Sequence, residues 1–169
     1  MPLDESASLK DRLLANHTLS AAEAARRLGA RAEDATSWAS RKRRADELFG
    51  VWSSQDRTFV HPDFQFGDRI TDAHRRTLFK TLRTRVGFNA SAEDKGGWAR
   101  AFWLYQPNAT LSKAALAAQG IDMSDPVTGA LILNFVSDEP RTPAEVFGES
   151  PEDVIALAKD LAAREASRD

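Results

Sequence analysis

The chain has no cysteine, which excludes a disulfide framework, a thiolate metal site and a cysteine nucleophile, and suits a reducing compartment. It also lacks any apolar run near the roughly 20 residues that span a bilayer. Its opening stretch, MPLDESASLK, places acids where a signal sequence needs an apolar centre. A soluble, cytoplasmic protein without a membrane partner is expected. Catalytic signatures are missing as well: there is no G-x-S-x-G elbow, no glycine-rich loop followed by Lys and Ser/Thr, and no H-E-x-x-H pair. The three histidines, His17, His61 and His74, stand apart with no carboxylate spaced for a helical metal pair, so each is expected as a surface or packing residue. The pairs Glu152/Asp153 and Asp138/Glu139 are adjacent and diverge on a helix. No catalytic residue, metal ligand or cofactor is expected.

Apolar material is ample: 42% of the 169 residues are hydrophobic, sufficient for one compact domain or two small lobes sharing a core. The formal net charge of −2 conceals a segregation. Residues 17–62 hold eight Lys/Arg against six Asp/Glu, residues 69–100 eight against three, and residues 101–169 five against eleven. Blocks of opposite sign suggest two partner surfaces, one suited to a polyanion and one to a basic protein, unless the charge serves solubility alone.

The pattern is mainly helical, and several helix starts are legible. Ser20 with Glu23, Thr142 with Glu145 and Ser150 with Asp153 each pair a capping oxygen with an acid three residues on, and Pro143 and Pro151 fall at the first helical position. The runs LFGVW and RTFVHP, separated by SSQD, read as a small hairpin or wing. A helix over residues 72–85 turns Leu78, Phe79 and Leu82 inward and keeps Arg75, Arg76, Lys80 and Arg83 on a basic outer face. Trp98, Ala101, Phe102 and Tyr105 align at helical spacing, a stripe that reads as core packing. Two more helices are expected in SKAALAAQG and DPVTGALILNFV, and a last one from residue 151 to about 164.

The sharpest local pattern lies in LSAAEAARRLGARAEDATSWASRKRR, where Ala21, Ala24, Ala25 and Leu28 share one face and Gly29 supplies a positive-φ stop. A second helix turns Ala32, Ala35, Trp38 and Ala39 inward and a polar face outward. That arrangement fits a helix-turn-helix whose second helix enters the major groove. The candidate DNA-contacting residues are Thr36, Ser37, Ser40, Arg41, Arg43 and Arg44, since hydroxyls bond base edges or phosphates and Arg forks onto guanine or phosphate. Against DNA contact, the capping position after the turn is Arg31 rather than Ser or Thr, and Glu33 and Asp34 repel phosphate. A basic run is also what a solvated face looks like.

Taken in order, EAARRLG, the short β element, HPDFQFGDRIT, WLYQPNATL and RTPAEVFGESPEDVIALA resemble the Xre/MbcA/ParS family of type II antitoxins over most of residues 19–163. Phe64, Gln65 and Phe66 match the family's "fQF" segment; Trp103, Leu104, Pro107, Asn108 and Leu111 match "WL..PN..L"; Pro143, Val154, Ile155 and Ala158 match its terminal element. The resemblance implies a helical antitoxin that neutralises a toxin of the RES class, enzymes that consume NAD or use it for ADP-ribosylation. It also implies an N-terminal part that dimerises and often binds operator DNA, and a C-terminal domain that covers the toxin's active-site entrance. The corresponding division is residues 1–68 as helix-turn-helix and dimerisation region, 69–97 as a connecting basic helix, and 98–169 as a helical toxin-binding lobe. Trp103, Pro107, Asn108, Asp160, Arg164 and Arg168 are its candidate partner-binding residues. The last three follow from the C-terminal helix, whose face Val154, Leu157 and Leu161 docks it and whose charged end is left to enter the toxin; truncation after Ala158 is expected to leave a folded chain. One departure is an insertion at residues 112–136, where the family passes almost directly to its terminal element.

The expectation is therefore a dimeric, non-catalytic antitoxin, with operator DNA as a second partner. The alternatives are a stand-alone helix-turn-helix regulator without a toxin, and an adaptor whose helix-turn-helix only dimerises.

Overall fold

The fold opens with a helix that the sequence pattern did not reveal: α1, Leu3–Asn16, buries Leu13 and packs Leu14 against the main core. A computed structural model of the chain describes residues 3–31, 33–85, 88, 94–111 and 141–167. The architecture is mainly helical with one small antiparallel sheet of three strands.

After α1 the chain forms β1, Thr18–Leu19, and then α2, Ala21–Arg27. The expected capping box closes α2: the Glu23 N–H donates to Ser20 Oγ at 3.3 Å, and the Ser20 N–H donates to Glu23 Oε2 at 2.8 Å. Gly29 then takes φ +70°, the left-handed stop read from the sequence. Helix α3, Ala35–Arg44, starts later than expected, because its cap is Asp34 and not Arg31. The Asp34 carboxylate accepts from the Ser37 N–H at 3.0 Å, so an acid that repels phosphate is the group holding the helix start. Ala24, Ala39 and Leu48 form the small core between α2 and α3, with Leu28, Trp38 and Phe66 packed around it. Ala32, expected to face inward, lies outside the described residues.

The hairpin consists of β2, Val51–Ser53, and β3, Thr58–Pro62, paired Val51↔Val60, Trp52↔Phe59 and Ser53↔Thr58. Strand β1 joins the other edge of β3, giving the order β1-β3-β2. A 3₁₀ turn, Asp63–Phe66, leads to α4, Asp72–Thr84, whose cap is a reciprocal pair between Thr71 and His74. Helix α5 is Trp98–Tyr105. The segments SKAALAAQG and DPVTGALILNFV, including the insertion at 112–136, lie outside the described residues. The fold resumes with α6, Pro143–Glu149, and α7, Pro151–Ala166. Thr142 and Glu145 form the expected box on α6, whereas Ser150 makes no side-chain cap on α7. Ser150 is shared between two helix ends, and its N–H closes α6 by donating to Val146 O at 2.8 Å.

One apolar cluster joins all three sequence regions: Leu13, Phe49 and Val51 meet Leu78, Phe79 and Leu82 of α4, Ala101 and Leu104 of α5, and Phe147 and Val154 of α6 and α7. The Phe64 ring lies at 5.8 Å from Phe147, 6.0 Å from Tyr105, 6.3 Å from Phe79 and 6.4 Å from Phe49, so Phe64 is an aromatic hub joining the 3₁₀ turn to α4, α5 and α6. Two expectations about faces are refined or corrected. In α5 Ala101 lies in the main core and Trp98 and Tyr105 pack against it as expected, but the fully buried line is Ala101 and Leu104, and Phe102 is half-buried outside that cluster. In α4 Arg75 is not on the basic outer face: it is buried, donates to Gln65 O at 3.2 Å and Ile70 O at 3.3 Å, and pairs with Asp72. A buried guanidinium with those acceptors ties α4 to the preceding turn.

Candidate nucleic-acid interface

On α3 the polar side expected to face outward does so in part. Thr36, Ser37, Arg41 and Arg44 are exposed and Ser40 is half-buried. Ser37 is occupied locally, since its hydroxyl donates to Asp34 Oδ2 at 2.5 Å. Arg43 departs most from the sequence reading: it folds back onto the hairpin, with its guanidinium 3.9 Å from the Phe59 ring centroid. Its stem passes over Gly50, where an added Cβ would lie 2.9 Å from Arg43 Cδ. Burial pulls the Arg43 guanidinium below its ordinary pKa, and the neighbouring Arg44 charge acts in the same direction.

Arg43 turns into a cleft of about 690 Å³ whose rims carry Arg44, Arg83, Lys95 and Arg100 and whose one carboxylate among the described residues is Asp46. Phe49, Phe59 and Phe79 contribute its apolar lining. The C-terminal ends of α3 and α4 bring Arg43, Arg44 and Arg83 there, and the turn before α5 brings Lys95. That turn is held by Asp94, whose carboxylate accepts from the Ala99 N–H at 3.0 Å and pairs with Arg100 at 2.8 Å. Gly97 permits the approach: at φ +76°, a Cβ there would stand 2.5 Å from Gly50 O.

The cations of the cleft differ in what they face. Arg83 pairs with Asp46 at 2.6 Å, and Arg100 is taken by Asp94. Burial pushes the Asp46 carboxyl above its ordinary pKa, with Arg83, Arg100 and Lys80 pulling the other way. Among the described residues no carboxylate pairs with Arg43, Arg44 or Lys95. Beneath them His61 is buried; its Nδ1 lies 2.9 Å from Phe49 O, and burial drives its pKa down to about 4, so it is a neutral donor at neutral pH. The basic block at residues 69–100 flagged this region by charge count, but no local spacing marks Arg83, Lys95 and Arg100 as partners of α3.

The candidate partner-binding residues of the C-terminal region are placed less favourably. Trp103 is half-buried against Phe88, with the rings 6.4 Å apart. Pro107 is exposed. Asn108 is structural: its N–H donates to Arg141 O at 2.8 Å and its Oδ1 accepts from the Thr110 N–H at 2.9 Å. Asp160 and Arg164 are exposed and pair with each other at 2.8 Å. Arg168 lies outside the described residues. Part of the charge segregation also closes inside the molecule, with Arg85 on Glu165 at 2.5 Å and His74 on Glu152 at 3.2 Å.

Among the described residues no group of three or more His, Asp or Glu is placed to hold a metal ion, and no helix is long and apolar enough to cross a membrane. The chain matches no protein-family model, no curated protein and no solved structure.

Proposed function

We propose that the chain is a non-catalytic, DNA-binding antitoxin that acts as a homodimer in the cytoplasm and blocks a partner toxin. The observation that carries the DNA half is the polar face of α3, with exposed Thr36, Arg41 and Arg44 and half-buried Ser40, running directly into a cleft whose Arg43, Arg44 and Lys95 pair with no carboxylate among the described residues. The reading of α2, the Gly29 turn and α3 as a helix-turn-helix with the β2–β3 hairpin as a wing is supported by the packing of α2 on α3 and by Arg43 of α3 lying on Phe59 of the hairpin. Arg and Ser/Thr donors on one helix, backed by a basic flank, suit phosphate and base-edge contacts together.

The toxin half rests on the family resemblance. Seven of its twelve matched residues are core positions here, Gln65, Leu104, Leu111, Pro143, Val154, Ile155 and Ala158, which supports a shared architecture rather than a shared contact surface, while Pro107 is exposed. A toxin of the RES class is the partner this reading names, with α7 as the inhibitory element and Asp160 and Arg164 at its surface. The stand-alone regulator is favoured by one observation: two of the charged residues expected to meet a toxin, Asp160 and Arg164, pair with each other.

Two measurements separate these readings. Duplex DNA binding should weaken in Arg41→Ala/Arg44→Ala, and the slope of log K against log salt should fall by about 0.9 for each lost phosphate contact. Unchanged affinity and slope would leave α3 as a solvated face. Co-expression with the product of the adjacent gene should yield a stable complex with loss of toxicity; a chain that shifts DNA yet captures no toxin is the stand-alone regulator.

A further inference from the structure

The α3–α4 cleft has a feature that duplex binding by an exposed helix face does not require. Arg43 is half-buried, stacked on Phe59, and pairs with no carboxylate among the described residues. Desolvating a guanidinium is unfavourable unless acceptors replace the lost water. Asp46, the one carboxylate of the cleft among the described residues, is engaged by Arg83 and held in a left-handed conformation at φ +57°. Arg44 and Lys95 stand on the rims, also without a carboxylate partner among the described residues. The carbonyl ends of α3 and α4 offset part of the cations' field, so selectivity must come from directed N–H donors rather than bulk positive potential. Three donor groups that line one cleft, none paired with a carboxylate among the described residues, suit a phosphoryl group.

The rest of the cleft describes what the phosphoryl group is attached to. Phe49, Phe59 and Phe79 line it, and its volume of about 690 Å³ is that of a small-molecule site rather than of a phosphate alone. The Arg43 guanidinium lies over the Phe59 ring, and the aromatic side chains beside it offer surface on which a flat base can rest. We infer that the cleft between α3, the β2–β3 hairpin and α4 is a nucleotide site, with Arg43, Arg44 and Lys95 on the phosphoryl group and the aromatic lining against the base. The inference can be tested apart from the antitoxin reading, because Thr36 and Arg41, which serve duplex contact, do not line this cleft, whereas Ser40 and Arg44 belong to both surfaces. The ligand is either a free nucleotide or a nucleotide within a single strand, since both present the same phosphoryl and base.

The test is calorimetric titration of the full chain with ADP, inorganic pyrophosphate, adenosine and oligothymidylate. ADP should bind, pyrophosphate should bind more weakly for lack of a base, and adenosine should not bind measurably. Lys95→Glu, at an exposed position, and Arg43→Gln should each weaken ADP by about tenfold or more, the scale of a lost charge-assisted contact. Asp46→Asn should tighten ADP by roughly threefold, because the carboxylate opposing the phosphoryl is gone. Oligothymidylate binding more tightly than ADP, with the same variant pattern, identifies a single strand; the reverse order identifies a free nucleotide. Thr36→Glu should abolish duplex binding while leaving ADP unchanged, so failure of one reading is told apart from failure of the other. Absence of binding by ADP, pyrophosphate and oligothymidylate overturns the inference, as does ADP affinity indifferent to Lys95→Glu or equal to that of adenosine.

Discussion

The side-chain amide of Gln65 pairs with both backbone groups of Phe49: its Oε1 accepts from the Phe49 N–H at 2.8 Å and its Nε2 donates to Phe49 O at 3.0 Å. The same Nε2 donates to Pro62 O at 2.8 Å. A fully buried glutamine thus supplies the hydrogen bonds that a neighbouring strand would supply, sixteen residues away in sequence. It fixes the loop from which the cleft residues Asp46, Phe49 and Gly50 project.

Gln65→Leu conserves apolar volume and removes all three bonds, leaving the Phe49 N–H buried and unpaired. The expected loss is roughly 3 kcal/mol, read as a lower denaturant midpoint with unchanged slope. In a chain of this size each kcal/mol lowers the melting temperature by about 2–4 °C. A melt within 2 °C of the parent chain, on the order of one such step, would falsify the bridging role.

How far the sequence specified this arrangement depends on whether the determining interaction was local. The Ser20 and Thr142 boxes and the left-handed Gly29 were legible because each is a contact across three or four residues. Helix α1 was missed because its apolar positions are few, with Leu9, Leu13 and Leu14 the main hint of a buried side. Arg75 and Arg43 read as surface cations because periodicity assigns a face but not a partner. Their acceptors, Gln65 O and Ile70 O, and the aromatic ring of Phe59 become neighbours only after the sheet and α4 are packed. The cleft was invisible for the same reason: Arg43, Arg83 and Lys95 come from three separate elements.

His61 makes stability depend on acid. Its folded pKa, driven down to about 4 by burial, lies below the unfolded value near 6.5, so between those values the unfolded chain binds the proton that the folded chain refuses. Stability contributed by neutral His61 is therefore complete above about pH 6.5 and lost progressively toward pH 4, reaching about 3 kcal/mol by linkage. His61→Gln keeps a donor for Phe49 O and removes the titration. Denaturant melts between pH 7 and pH 4 should show a flatter profile in this variant, and a parallel profile would assign the acid sensitivity to other groups.

Truncation after Ala158, which the sequence suggested the fold would tolerate, should instead unfold the C-terminal side. It removes Leu161, which packs on the main core, and Glu165, which accepts from both Nε and Nη2 of the buried Arg85. A buried charge stripped of its partner costs about 3–5 kcal/mol. By contrast, Asp160→Ala/Arg164→Ala removes an exposed pair and should change stability by no more than about 0.5 kcal/mol. Toxin protection measured in the double variant therefore reports on contact, whereas the same assay on the truncated chain reports on folding. A truncated chain with the parent melting temperature would show that Arg85 finds other acceptors.

Gly29 and Gly97 have nearly the same backbone conformation, φ +70° and φ +76°, and opposite surroundings. Nothing lies within 4 Å of a Cβ built on Gly29, whereas one on Gly97 falls 2.5 Å from Gly50 O and 3.6 Å from Phe49 Cε2. Gly29→Ala should therefore cost only the left-handed penalty, about 1–2 kcal/mol, and Gly29→Asn less. Gly97→Ala carries that penalty plus a collision with a backbone carbonyl that cannot rotate away. Its neighbours must shift, and the segment bearing Lys95 and Arg100 moves with them. The expected loss is at least twice that of Gly29→Ala, on the order of 3 kcal/mol or more, with no recovery from Asn at the same position. Thermal melts of the four single variants decide it: equal losses at the two sites would mean that the close approach of Gly97 to Gly50 is not maintained in solution, and that the wall of the cleft is looser than the packing around Gly50 requires.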